Sequence, residues 1–161
     1  MDGGNKVTKP ENLAELEFGS EFDETDIQIL SNSQVAVILQ MSAQNALVRD
    51  EELHDVYTKT QKYTARFNTM KNPEKEHQEL VDELDNLQNV LDTFRKEKED
   101  GEEVKLHQFE VAALMNLVAT DTMVEEALAL VPSLSKFRES EIDEILDLIR
   151  STMIRIVSYG S

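Results

Sequence analysis

The sequence predicts an all-α fold, and three of its features indicate it. Only 5 Gly and 3 Pro occur in 161 residues, whereas all-β folds consume many of both in tight turns. Hydrophobic residues make up 40% of the chain but aromatic residues only 6%, so the core is expected to be mainly aliphatic. Several stretches repeat apolar residues every three or four positions, which is the period of an amphipathic helix. The length suits one domain.

The N-terminal residues form no self-sufficient element. Residues 1–12 are polar, and residues 13–22 place four apolar side chains among glutamates with neither a helical nor a strand period. These four are Leu13, Leu16, Phe18 and Phe22. Such a segment cannot bury its apolar side chains by itself, so it must lie on the chain's own helices or on a partner. We predict that residues 1–30 are an extended segment, and a partner is the favoured contact.

The first helix is predicted over residues 31–47. Ser31-Asn32-Ser33 supplies good N-cap residues. Val35, Ile38 and Leu39 follow with helical spacing, as do Ser42 and Ala46.

The second helix is predicted over residues 50–71, with Asp50 as its candidate cap. It carries an apolar stripe from Leu53 to Phe67 and, beside it, a basic stripe of Lys59, Lys62 and Arg66. The basic stripe could contact RNA or an acidic partner. Pairing with neighbouring acids is the favoured interpretation.

A third helix is predicted from Asn72-Pro73-Glu74, a cap followed by Pro and an acid, to about Asp100. Its apolar residues alternate spacings of four and three, which is typical of the narrow seam of a coiled coil or helical hairpin. They are Leu80, Leu84, Leu87, Leu91 and Phe94. The acidic tail 96–103 is expected to be a solvated linker that Gly101 ends.

The last sixty residues are predicted to form three short helices. The first, about 107–118, carries an apolar set of Phe109, Ala112, Ala113 and Leu117. In the second, Thr122 and Glu125 have the spacing of a capping box, and Pro132 ends that helix. The third begins near Ser140 and has an apolar face that runs from Ile142 to Ile156.

Charge and composition exclude several classes of function. The net charge of −17 disfavours stand-alone binding of nucleic acid, because the surface repels phosphates. The absence of Cys excludes disulfides, thiol catalysis and thiolate-bound metals. No apolar run approaches the roughly 18 residues of a membrane span, and the N-terminus does not resemble a signal peptide.

No grouping of residues predicts catalysis, a cofactor or a metal. His54, His77 and His107 are far apart and belong to no metal or triad motif. The carboxylates lie in runs on predicted solvated faces, whereas general acid–base catalysis needs one or two in a low-dielectric cleft. We therefore expect a protein that acts by being bound.

Three blocks in this order resemble the fourth subunit of eukaryotic RNA polymerase II, a family that also has archaeal members. The first is Asn12-Leu13-Ala14-Glu15-Leu16 with Gly19 and Glu21-Phe22. The second is Val56 to Phe67, VYTKTQKYTARF, followed by Lys71-Asn72-Pro73-Glu74. The third begins at Leu106-His107-Gln108-Phe109-Glu110 and continues through Leu130-Val131-Pro132 to Ile142-Asp143-Glu144.

The resemblance implies a helical component of a polymerase stalk with four segments. These are a partner-binding segment (1–30), N-terminal helices (31–72), an inserted heptad-patterned helix and linker (73–104) and an HRDC-like C-terminal unit (105–161). Members of the family pair with the OB-fold seventh subunit beside the RNA exit channel and support transcription initiation in the nucleus. Nascent RNA is contacted mainly through that partner.

In the stalk interpretation, Leu13, Leu16, Phe18 and Phe22 line the partner interface, with Val35, Ile38 and Leu39 behind them. Two alternatives stay open. The chain could serve another nuclear polymerase, or it could be a free-standing adaptor that forms a coiled coil through the Leu80–Phe94 seam.

Overall fold

The structure of the chain, a computed structural model, describes residue 16 and residues 27–157. Within these residues the chain forms six α-helices, one 3₁₀ helix and two short strands. In order they are α1 (Asn32–Val48), α2 (Asp55–Arg66), α3 (His77–Asp92), β1 (Arg95–Glu97), β2 (Glu103–Lys105), α4 (Gln108–Leu117), α5 (Val124–Leu130), the 3₁₀ helix (Pro132–Lys136) and α6 (Glu139–Val157). The predicted all-α class is confirmed, with one small hairpin added.

Helix α1 begins as the sequence predicts and ends in a Schellman motif. The Ser31 hydroxyl accepts from the Gln34 N–H, and the Gln34 side chain accepts from the Ser31 N–H at 2.9 Å, which is a capping box. At the other end, the Glu51 N–H donates to the Ala46 carbonyl and the Asp50 N–H to the Leu47 carbonyl. Asp50 has φ +54°. It therefore ends α1, and its predicted role as the cap of α2 is wrong.

Replacing Asp50 with Gly should stabilise the fold. Gly adopts a left-handed backbone without the steric cost that a Cβ imposes, and the change removes a negative charge from the negative end of α1. We expect the free energy of unfolding to rise by about 0.5–1 kcal/mol, measured by urea denaturation. Asp50→Val, which keeps a Cβ and adds branching, should lower it; an unchanged midpoint in both variants would contradict this account.

The predicted start of α3 at Asn72 is wrong because the Asn72 side chain is used elsewhere. Its carbonyl oxygen accepts from the Glu74 N–H at 3.0 Å in a local turn, and its amide donates to the Ile156 carbonyl at 2.9 Å. The second bond satisfies a carbonyl in the last turn of α6, which has no helical partner. Helix α3 instead begins at His77, with Glu76 at the N-cap position.

The predicted linker at 96–103 is a β-hairpin, and α3 ends at Asp92 rather than near Asp100. Strands β1 and β2 are antiparallel, with Arg95 opposite Lys105. Gly101 has φ +82° in the connecting turn, a conformation that Gly adopts readily. The Lys96 ammonium lies 2.7 Å from a Glu144 carboxylate oxygen, which links the hairpin to α6.

The heptad seam of α3 lies in the core of the chain itself. Leu84 and Leu91 are fully buried, Leu80 and Leu87 nearly so, and Phe94 packs edge-on against Phe137. Helix α3 contacts α1, α4 and α6. The coiled-coil interpretation is therefore wrong, since the seam is already occupied. The broader partition into four segments stays a prediction.

The C-terminal helices follow the predicted order with two corrections. Val111, Leu114 and Met115 of α4 enter the core, whereas Leu117 of the predicted set is half exposed. Thr122 caps no helix; its hydroxyl accepts from the Ala119 N–H at 2.8 Å, and Met123 stands at the N-cap of α5. The face of α6 is as predicted, buried throughout in Ile142, Ile145, Leu146, Ile149, Met153 and Ile156.

Asp92 at the end of α3 should make stability depend on pH. Burial raises the pKa of its carboxyl above the usual 3.8, and nearby Arg95 opposes this shift. Because the pKa of Asp92 is higher in the folded protein than in the unfolded chain, protonation of this carboxyl stabilises the fold. That stabilisation is fully present below pH 3.8 and is lost as pH rises through the pKa of the folded state. Because Asp92 also places a negative charge at the negative end of α3, Asp92→Asn should raise the free energy of unfolding at pH 7 by about 0.3–1 kcal/mol.

That gain should shrink towards zero as pH falls to 3.8, the usual pKa of the carboxyl, measured by urea denaturation across pH. Glu52→Gln is the charge-matched control, since Glu52 lies exposed between α1 and α2. Equal pH dependence in both variants would contradict the role of Asp92.

Candidate binding surfaces

A buried carboxylate organises the His107–Glu110 block of α4. Glu110 is fully buried, and it accepts from the His107 N–H at 2.8 Å and from the Ser133 hydroxyl at 2.7 Å. The Lys136 ammonium contacts the same carboxylate. His107 Nδ1 in turn accepts from the Phe109 N–H at 3.1 Å. These contacts cap α4 and fasten it to the 3₁₀ helix, so this carboxylate has a structural role.

Amide side chains hold the segment just before α1 against the chain's own helices. The Gln88 amide donates to the Ile29 carbonyl at 3.0 Å, and the Gln108 and Asn116 side chains accept from the N–H groups of Ile29 and Asn32. Gln34 also donates to Gln88 at 3.0 Å. This network does not follow from the periodicity of the apolar residues, and its only signal in the sequence is the presence of amide residues within the helices.

The structure describes only some of the predicted partner-binding residues. Leu13, Phe18 and Phe22 lie outside the described residues, and Leu16 is half-buried in a turn with φ +57°. Val35, Ile38 and Leu39 share one side of α1 through their spacing of three and four. The core takes Ala36 and Val37 instead, so Val35 and Leu39 stay half-buried and Ile38 is 43% exposed.

Helix α2 leaves most of its predicted apolar stripe exposed. Within this fully described helix Thr64 is the one buried side chain, whereas Val56 is 75% exposed and Tyr63 60%. Phe67, just past the helix, is 43% exposed and stacks at a tilt on Tyr63, with the ring centroids 4.9 Å apart. A contiguous apolar surface of this kind is typical of a contact site for another molecule.

No acid among the described residues neutralises the basic stripe of α2. Lys59, Lys62 and Arg66 are exposed, and no ion pair or hydrogen bond between described residues includes their charged groups. The Arg66 guanidinium instead lies 5.5 Å from the centre of the Phe67 ring. The favoured interpretation, pairing with neighbouring acids, is therefore wrong for the part of the chain that the structure describes.

A groove of about 660 Å³ separates α2 from α4. Its walls include the apolar residues Tyr63, Phe67, Phe109 and Leu117, and Arg66 also lines it. The segment before α1 closes one side through Ile29 and Leu30. Aromatic walls with a guanidinium and the amide side chains Asn68 and Asn116 suit a flat, polar-edged ligand.

Neither a metal centre nor a membrane span is found in residues 27–157. No three His, Asp or Glu side chains there are grouped closely enough to hold a metal ion. None of the described helices combines the length and the apolar character that crossing a membrane requires.

The outward apolar and basic surfaces of this helical fold are typical of a protein that acts by binding other molecules. The family model for RNA polymerase Rpb4 matches residues 29–153. Over 141 residues the chain is 30% identical to DNA-directed RNA polymerase II subunit 4 of Arabidopsis thaliana, covering 85% of this chain and 86% of that protein. The chain belongs to the RNA polymerase Rpb4 family.

Proposed function

We propose that this protein is a non-catalytic subunit of RNA polymerase II that pairs with the OB-fold seventh subunit. The pair forms the stalk near the RNA exit channel, supports transcription initiation and resides in the nucleus. Helices α4 to α6 form its HRDC-like unit. The similarity to a polymerase II subunit 4 favours this polymerase over the other nuclear ones.

The outward apolar face of α1 is the observation that carries the proposal. Val35, Ile38 and Leu39 lie together on a chain whose net charge is −17. Such a face is costly to leave in water, since each Å² of apolar surface that a partner covers contributes about 25 cal/mol. We infer that Leu13, Leu16, Phe18 and Phe22 line the interface with the seventh subunit and that this face of α1 lies behind them.

Ile38→Glu tests the interface without disturbing the core. Ile38 is exposed, so a charge there is tolerated in the separate chain but is buried unpaired in the complex. Affinity for the co-expressed OB-fold subunit, measured by calorimetry, should fall at least roughly 30-fold, or about 2 kcal/mol. Asn89→Glu on the exposed side of α3 is the matched control and should stay within about threefold.

Equal affinity of the Ile38→Glu and Asn89→Glu variants would show that this face of α1 does not bind the partner. Circular dichroism of each separate variant establishes that the helical content is unchanged.

A further inference from the structure

The stretch that forms α2 and the loop after it differs in charge from the rest of the chain. Residues 56–73 carry Lys59, Lys62, Arg66 and Lys71 and no Asp or Glu, although the whole chain has 33 acids. All four cations are exposed. Because the rest of the chain is so acidic, a local row of exposed positive charges indicates an anionic ligand.

The geometry of α2 arranges these cations as a row. Lys59, Lys62 and Arg66 are spaced by three and four residues, so they lie on one side of the helix over roughly 10 Å of its length. The exposed Tyr63 and Phe67 rings lie on the adjoining side, and Phe67 opens into the groove between α2 and α4. Charged groups thus flank a set of aromatic rings.

We propose that this surface, the α2 cationic row with the aromatic groove beside it, binds single-stranded RNA. Phosphates contact Lys59, Lys62 and Arg66, and a base stacks on Tyr63 or Phe67. Single-stranded nucleic acid is typically bound in this way, by cations along the backbone and aromatic rings under the bases. An acidic protein segment would satisfy the cations but would leave the flat aromatic surface unexplained.

The net negative charge of the chain limits the conditions under which this contact forms. A chain of net charge −17 repels RNA at long range, so the row acts on RNA that a neighbouring subunit already holds. The inference rests on the proposed function for that neighbour. The test therefore uses the one-to-one complex with the OB-fold subunit.

The central variant combines Lys59→Gln, Lys62→Gln and Arg66→Gln. Its control combines Lys98→Gln, Lys105→Gln and Arg138→Gln. This control also removes two lysines and one arginine, but from exposed positions around the hairpin and the start of α6. The two variants have equal net charge. Each complex is titrated with a fluorescent oligouridine of about 20 residues, by anisotropy, from about 50 to 200 mM salt.

We expect the α2 variant to lose at least about tenfold in affinity, with the slope of log K against log salt smaller by about 2, since each phosphate contact on a single strand contributes about 0.7. The control should stay within about twofold. Tyr63→Ala should weaken binding about tenfold and leave the slope unchanged.

Equal affinities for the α2 variant and the control would overturn the proposal, because net charge alone would then explain binding. Retained RNA affinity together with loss of an acidic protein partner would overturn it in favour of that partner. If no complex forms, the proposed function fails at purification and the RNA contact, which rests on it, fails too. Equal affinities in a complex that does form overturn the RNA contact alone.

Discussion

Glu110→Ala should lower the free energy of unfolding by about 3 kcal/mol. The substitution removes the acceptor of the His107 N–H and the Ser133 hydroxyl, and it leaves the Lys136 ammonium beside a buried, empty site. Removing one partner of a buried ion pair typically costs several kcal/mol, and the partial exposure of Lys136, at 27%, lets part of that loss be recovered by water.

Urea denaturation of the full chain measures this loss. Glu110→Gln retains an acceptor for the cap and should cost about half as much. Glu125→Ala in the exposed first turn of α5 is the control and should cost under about 1 kcal/mol. A loss at Glu110 no larger than that at Glu125 would show that the buried carboxylate does not hold α4 to the 3₁₀ helix.

Leu84→Ala should lower the free energy of unfolding by about 2–5 kcal/mol, and Leu84→Glu should prevent folding. Leu84 is fully buried between helices of the same chain, so truncation leaves a cavity and a carboxylate there has no partner. Ile154→Ala, at an exposed position of α6, is the control and should change stability by under about 0.5 kcal/mol.

The same variants separate a core helix from a coiled-coil seam. If the seam joined two copies of the chain, Leu84→Glu would turn a dimer into a folded, helical monomer. The structure requires a loss of helical circular dichroism instead, and retention of a folded monomer would contradict it.

The helices with a regular apolar period were predictable from the sequence. The apolar residues of α6 recur at helical spacing and are all buried along one face, and α3 has the same regularity. The ends of elements were less predictable because they depend on distant contacts. Asn72 has the sequence context of a helix cap, yet its amide donates to Ile156, 84 residues away.

Polar groups in the core were also beyond the reach of pattern analysis. Gln34 and Gln88 are buried and bond to each other across 54 residues of sequence. Composition and periodicity assign such residues to solvated faces. Only the packing of α1 on α3 brings the two amides together and satisfies them.

The residues of the binding surfaces were predictable from the sequence, but their exposure to solvent was not. An apolar stripe that packs inside a fold and one that awaits a partner have the same period, so the pattern of α2 did not reveal its exposure. For the same reason the helical period alone does not establish that Ile38 faces outward, which follows from the packing of Ala36 and Val37 into the core. The absence of acids from residues 56–73, by contrast, is visible in the sequence alone.

Purification of the tagged full-length chain from nuclear extract tests the central claim most directly. Quantitative mass spectrometry should recover the subunits of RNA polymerase II in near-equal amounts, including the OB-fold seventh subunit. Recovery of another nuclear polymerase would move the chain to that enzyme. Recovery of no polymerase subunit, under conditions in which a second tagged subunit retrieves the others, would contradict the account.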